Sequence, residues 1–362
     1  MTAALRARHA LHEAGLLGAT PPNGQRLAGH PERVTNAINE VWHCGDYMVR
    51  VNPHTGATRL QREGALLGRL PAAVRAPVPV ASGSAGWGEW LVTVRIPGQE
   101  LSRRWWSLRP DARRRSIVEL ATILETIHQV PAGAGDGVGA GEAVSAWDGA
   151  GAWGAAGPWG AAPGAQAASL RSPGIDDDCP HALPVARLLH LIGQASALPG
   201  VDAGVLAAAA ERLVATAPLL DEHPARLVHG DLHLENVLAT ADGEITGVLD
   251  FEWARPGPAD LDLDVLLHSL AEPGLHLESG SGRLQRHDFD EVVSWLRATY
   301  PVLFAHPRLE DRLWVYRLSY EVKALLTSPP RAGAGHLSPH HPYQRIVRLL
   351  EGRSDLGWFL AS

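Results

Sequence analysis

The sequence predicts an α+β chain, with strands and hairpins in its first hundred residues and helices through most of the remainder. Two observations carry this. Runs rich in β-branched and aromatic residues, 47–51 and 86–96, lie upstream, whereas 203–223, 288–300, 309–326 and 342–350 place apolar residues at helical spacing. A third observation is a late hairpin. Apolar-rich runs at 236–240 and 244–250 flank Ala241-Asp242-Gly243, and Asp-Gly is a strong short turn signal. The chain has 362 residues, 45% of them hydrophobic, enough for one enzyme with a sizeable core.

Taken in order, residues 1–14 read as an interrupted amphipathic helix whose charges exclude the apolar core of a signal peptide. A short strand-like run at 37–42 precedes the strand 47–51. Residues 60–70 have helix-spaced apolar positions, and the strand 86–96 is ended by Pro97-Gly98. Gly83-Ser-Ala-Gly86-Trp-Gly88 reads as a hairpin turn. A helix is expected over 113–130. Residues 132–181 are then dominated by Gly, Ala, Pro and Trp without any period, and cannot bury a core of their own. A disordered insert over about 132–182 is the first expectation. The other is a flap whose Trp147, Trp153 and Trp159 cover an acceptor, with Asp176, Asp177 and Asp178 to attract a cation. Helices resume at 184–193 and 203–223, the latter with Leu206, Ala209, Leu213, Ala217 and Leu220 on one face.

Several classes are disfavoured. A net charge of −7 without a basic, aromatic-studded stripe argues against nucleic acid as a partner. No run of about 18 uninterrupted apolar residues occurs, so no membrane span is expected. Two cysteines, Cys44 and Cys179, are too few for a disulfide scaffold and point to a reducing, cytoplasmic location. His336, His340 and His341 cluster in a loop without a carboxylate or thiol at ligand spacing.

Chemistry is concentrated in Val228-His229-Gly230-Asp231-Leu232-His233-Leu234-Glu235-Asn236-Val237-Leu238 and in Val248-Leu249-Asp250-Phe251-Glu252. If Asp242-Gly243 is a two-residue turn, Asn236 stands across from Leu249, next to Asp250. Both oxygen donors then reach one end of the hairpin. Mg²⁺ accepts a few such hard ligands together with phosphates and water. Asp231 is placed to take a proton from a hydroxyl, so the pattern implies phosphoryl transfer with Mg²⁺-ATP.

These residues resemble the aminoglycoside phosphotransferase-like small-molecule kinases, of the protein-kinase-like superfamily. His-Gly-Asp-Leu-His-x-x-Asn-Val-Leu and Leu-Asp-Phe-Glu-x-Ala carry the likeness. Leu234-Glu235 replaces the family's usual Pro-Gly. Gly257-Pro258-Ala259-Asp260-Leu261 is similar to the family's Gly-Asp-Pro-x-x-Asp-Leu segment. The resemblance implies a bilobal fold. Its N-lobe, 1–97, would hold an antiparallel sheet with one main helix and cover ATP. Its C-lobe, 98–362, would be mostly helical, carry the catalytic hairpin and bind the acceptor.

The same resemblance implies roles residue by residue. Asp231 is the catalytic base, and Asn236 and Asp250 are the Mg²⁺ ligands. His229 and Asp260 support the catalytic loop. Arg50, in place of the family's lysine, would clamp the α/β phosphates with Glu63 as its orienting partner. Thr35 and Asn36 would cover phosphates, and Thr93, Val94 and Ile96 would form the hinge against adenine. His233, Glu235, Trp295, Tyr316, Tyr320 and Glu321 are the candidates for acceptor contact. The expected cofactors are ATP, with GTP also admitted, and Mg²⁺.

The expected partner is a small-molecule hydroxyl acceptor, bound by a monomer or a homodimer. An antibiotic (aminoglycoside, cyclic peptide or nucleoside of the capuramycin type) comes first. Asn236, where macrolide kinases often carry His, speaks against a macrolide. A metabolic alcohol such as homoserine, choline or a sugar is the alternative within the class, and a nucleotide-binding pseudokinase the alternative outside it.

Overall fold

The computed structural model describes residues 1–17, 31–34, 39–131, 181–221, 226–277, 284–330 and 337–361. Thr35, Asn36, the three insert tryptophans, Asp176–Asp178, Cys179 and His336 therefore lie outside the described residues. The chain folds into two compact units, one formed by Met1–Ala140 with Leu234–Ala254, the other by Gly141–His233 with Arg255–Ser362.

The first unit is built on a five-stranded antiparallel sheet, β1 (Glu32–Val34), β2 (Glu40–Cys44), β3 (Tyr47–Asn52), β4 (Pro79–Ala85) and β5 (Gly88–Val94), in the order β1-β2-β3-β5-β4. Helix α1 (Ala3–Glu13) starts on Thr2, whose hydroxyl accepts from the Leu5 N–H, and lays Ala7, Ala10 and Leu11 on Trp42, Val49, Val51, Trp90 and Val92. Gly83 pairs with Trp90, and a Cβ there would lie 2.7 Å from the indole, so the edge strand needs glycine opposite that ring. Helix α2 (Arg59–Leu67) buries Leu60, Leu66 and Leu67, and this packing fixes Glu63, which is also buried.

The same unit continues through β6 (Gln99–Glu100), α3 (Leu101–Trp105), α4 (Pro110–Gln129), β8 (Val237–Ala239) and β9 (Ile245–Val248). The expected pairing of Asn236 with Leu249 is present, and the Leu249 N–H donates to the Asn236 carbonyl at 2.7 Å. The turn differs from the expected two-residue form. Ala241-Asp242-Gly243 forms a three-residue loop between Thr240 and Glu244, with Gly243 left-handed (φ 83°). A shift of register between Leu238 and Ala239 passes over Thr246, so that Val237 again faces Val248. The longer turn and the bulge offset each other. Helix α4 secures the loop through Ser116 Oγ, which donates to the Gly243 carbonyl, and Glu119, which accepts from the Ile245 N–H.

The second unit contains α5 (Val185–Ala195), α6 (Ala203–Thr216), β7 (Arg226–Val228) paired antiparallel with β10 (Arg255–Gly257), and α7 (Asp260–Ala271). It continues with α8 (Pro273–His276), α9 (Val292–Thr299), α10 (Leu309–Thr327), α11 (Pro342–Leu350) and α12 (Leu356–Ala361). Helix α10 is central and packs on α5, α6, α7, α11 and α12. Two expected helices are shorter than their apolar patterns. The helix from 203 gives way at Thr216 to a 3₁₀ turn, Ala217–Asp221, where Pro218 has no N–H to continue the ladder. The helix expected over 288–300 is split because Asp288 accepts from the Gln285 N–H and closes a separate 3₁₀ turn, Arg286–Phe289, ahead of α9. Among the described residues one stretch, Ala203–Leu220, is long and apolar enough by composition to cross a membrane. It carries Glu211 and Arg212 and buries Leu206, Ala209 and Leu213 within this unit.

Candidate active site

In the first unit the site is organised around one guanidinium. Arg50 on β3 donates through Nη1 to both Glu63 oxygens, at 2.7 and 2.6 Å, and through Nη2 to Asp250 Oδ1 at 2.7 Å. Glu252 Oε2 lies 3.4 Å from the same Nη2 and accepts from Asn39 Nδ2 at 2.9 Å. The Phe251 N–H donates to Glu63 Oε1, which joins α2 to the segment after β9. Burial opposes the Arg50 charge, but Asp250, Glu63 and Glu252 outweigh it and hold the guanidinium above its ordinary pKa. Burial pushes the Glu63 carboxyl up to about 7 against the pull of Arg50, and burial with the Asp250 charge raises Glu252.

Three carboxylates facing one guanidinium leave an excess of negative charge when all are ionised. Together with the Asn236 amide, that donor set fits a hard divalent cation. Asp250 itself is left-handed (φ 65°, ψ 61°), a conformation costly for any residue with a Cβ and common where a functional group must be aimed. In the same unit, Gly247 lies so close to Ile96 that a Cβ would come within 2.6 Å of Ile96 Cδ1. Thr93 is buried and Val94 exposed.

In the second unit the loop after β7 carries Asp231. Its backbone is gripped by one buried carboxylate, since the N–H groups of His229 and Gly230 donate to Asp262 Oδ2 and Oδ1 at 2.8 and 2.7 Å. Gly230 takes a φ of 82°, and the Asp231 N–H donates to His229 Nδ1 at 3.3 Å. The Asp231 side chain keeps 27% of its surface exposed, with His233 Nε2 3.9 Å from its Oδ2.

A family model described as "Phosphotransferase enzyme family" matches residues 32–293. The chain belongs to the phosphotransferase enzyme family. No curated protein matches its sequence. Among solved structures, this phosphotransferase is similar to aminoglycoside 2'-phosphotransferase-IIIa in its GDP complex (17% identity, 95% of this chain and 98% of that one, TM-score 0.57). It is also similar to a thermostable mutant of aminoglycoside phosphotransferase APH(4)-Ia bound to AMP-PNP and hygromycin B (14%, 93% and 96%, TM-score 0.57). A choline/ethanolamine kinase family protein from Mesorhizobium loti is a third (16%, 97% and 99%, TM-score 0.55). At these identities the likeness is one of fold, the protein-kinase-like α+β fold of the family.

The structure of this phosphotransferase brings Arg50, Glu63 and Asp250 into one cluster and places Asn236 at the adjoining end of the hairpin. Two expectations need correction. Asp260 does not buttress the loop that carries Asp231; its carboxylate is paired with the Arg312 guanidinium and accepts from Tyr316 Oη at 3.2 Å. The buttress is Asp262. On a helix, residues two apart point about 200° from each other and residues four apart only about 40°. Asp260 and Asp264 thus both face α10, where they meet Arg312 and Arg317, and Asp262 alone faces the loop. The signal was the spacing itself: Gly257, four intervening residues, then Asp262-Leu263.

Tyr316 is the second correction. It is buried, its hydroxyl is shared between Asp260 and Arg312, and burial raises its pKa well above the ordinary tyrosine range. It belongs to the core.

The other acceptor candidates divide. Trp295 and Glu235 are half-buried. Glu321 is buried, pairs with Arg345 Nε at 2.7 Å and is pushed up to about 7 by burial. Tyr320 Oη lies 3.3 Å from His276 Nδ1, and burial first, with the Glu321 and Asp231 charges, pushes it up to about 12. Residues missed from sequence are Asn39 and Glu252, which complete the Arg50 cluster, and Asp262.

Proposed function

We propose that this chain is an ATP-dependent O-phosphotransferase that phosphorylates a hydroxyl of a small-molecule antibiotic and thereby confers resistance. The observation that carries the proposal is the Arg50 cluster, a single cation oriented by Glu63 and Asp250 with Asp250 held left-handed. That is an arrangement for gripping phosphate, and a core ion pair has no need of the strained acid. Arg50 would contact the α/β phosphates through its fork, and Thr93, Val94 and Ile96 would line the adenine. Asn236 and Asp250 would hold Mg²⁺, which when bound neutralises phosphate charge.

Asp231 would accept the proton of the acceptor hydroxyl as its oxygen attacks the γ-phosphorus, ADP leaving with the bridging oxygen. The loop that aims Asp231 is set by Asp262 and His229. His233, Glu235 and Trp295, each half-buried, would be the acceptor contacts. Aminoglycoside, cyclic-peptide and nucleoside antibiotics are the acceptor classes, and the cytoplasm, where ATP is supplied, is the location. Family membership and the fold shared with aminoglycoside phosphotransferases support this choice.

The test is Asp231→Asn in the full chain, assayed by ATP consumption over a panel of antibiotics and small alcohols, with mass spectrometry for one added phosphate. Turnover should fall by about 10²–10⁴-fold while nucleotide binding persists. A variant within about tenfold of wild type would remove Asp231 from the base role.

A further inference from the structure

The second unit also holds a set of donor atoms that the reaction does not use. His181 lies just ahead of α5, and Asp264 and His268 stand at i and i+4 on one face of α7. All three are buried, and their ligand atoms lie within 4.8 Å of one another. Each contributes a buried polar atom with no hydrogen-bond partner: His181 Nδ1, Asp264 Oδ2 and His268 Nδ1. A buried polar atom left unpaired is unfavourable, and here three of them converge. We propose that these three residues form a binding site for a divalent transition-metal ion, with Zn²⁺ the ion that fits.

The geometry can be checked against zinc. Metal–donor bonds of about 2.0–2.2 Å at tetrahedral angles put donors about 3.3–3.5 Å apart and two ligating imidazole centres about 5 Å apart. His181 Nδ1 lies 3.5 Å from Asp264 Oδ2, and the His181 and His268 ring centres are 5.5 Å apart and nearly perpendicular. The outer contacts also match what metal ligands require. Asp264 Oδ1 accepts from Arg317 Nε at 2.7 Å, and His268 Nε2 faces Glu321 Oε1 at 3.7 Å, leaving Nδ1 as the inward donor.

The two nearby cations each have a carboxylate outside the donor set, Arg317 with Asp355 and Arg345 with Glu321, both at 2.7 Å. Two imidazoles and one carboxylate suit Zn²⁺, Co²⁺ or Ni²⁺, whereas Mg²⁺ takes oxygen donors. This site is therefore chemically distinct from the Asn236–Asp250 pair. Three protein donors leave a fourth position for water. The ion would tie His181 to α7 two residues from Asp262, and so brace the helix that holds the catalytic loop.

The experiment uses untagged full-length protein stripped with chelator and titrated with Co²⁺, then Zn²⁺. One equivalent of Co²⁺ should give the visible d–d bands of a low-coordinate nitrogen/oxygen site. Zn²⁺ should displace it and raise the melting temperature. His181→Asn and His268→Gln should lose the bands with far-UV circular dichroism unchanged. Glu321→Gln should bind about 10–100-fold more weakly. Asp250→Asn should keep the bands in full. Absence of a bound equivalent in the wild type overturns the proposal, as does persistence of the bands in His181→Asn. Loss of the bands in Asp250→Asn alone assigns the ion to the nucleotide site, and also overturns it. None of these readouts depends on turnover, so the metal site and the proposed kinase activity stand or fall separately.

Discussion

Replacing Asp262 by Asn is the sharpest perturbation of the loop that carries Asp231. The carboxylate accepts from two backbone N–H groups, at 2.8 and 2.7 Å, and is itself fully buried. Asparagine keeps one acceptor and turns an N–H₂ toward the other donor. One charged hydrogen bond, worth about 1.5–3 kcal/mol, is lost and a buried N–H is left facing a donor. A destabilisation of about 3 kcal/mol follows, which lowers the melting temperature by about 6–12 °C in a unit of roughly 150–250 residues.

Asp260→Asn also destabilises, because it leaves Arg312 buried without its carboxylate. Melting alone does not separate the two, but amide hydrogen exchange does. The His229 and Gly230 amides should lose protection in Asp262→Asn and keep it in Asp260→Asn. Turnover should fall in the former with the KM for ATP little changed. Full protection of both amides in Asp262→Asn would refute the assignment of the buttress.

Arg50→Lys replaces a fork that reaches Glu63 and Asp250 with a single ammonium, so one charged contact is lost. Steady-state kinetics should show kcat/KM for ATP reduced about 10–150-fold. Gly247→Ala pushes a methyl into Ile96, and the KM for ATP should rise; adding Ile96→Val should recover part of it. Burial, with Arg345 and Arg317, holds His276 neutral, its pKa down to about 3. The unfolded chain binds that proton below about pH 6.5, so the stability this residue contributes is present above that pH and is lost as pH falls toward about 3. Unfolding free energies from urea titrations should carry a slope of about 1.4 kcal/mol per pH unit from this group between about pH 3 and 6.5, absent in His276→Gln.

The sequence by itself determined the order of the main elements and the pairing of the hairpin. Helical spacing and the Asp-Gly turn are local properties, and Asn236 fell opposite Leu249 even though the turn is longer than expected. Here a bulge at Thr246 compensates for an added loop residue, a detail that depends on packing against α4. Arg50 and Glu63 were legible because strand and helix stand in a fixed order ahead of the motif. Partners of buried charges were not. Asp260-Leu-Asp262-Leu-Asp264 reads as three equivalent acids along the chain. Only the rotation of α7, and the placement of α10 beside it, sends two of them to arginines and one to the loop that carries Asp231. The same holds for His181, which lies more than eighty residues before Asp264 and His268 and meets them only because tertiary packing puts the segment ahead of α5 beside α7. Periodicity encodes which face is apolar. Which polar group on a buried face meets which partner is set by the neighbouring elements, and that only the folded chain decides.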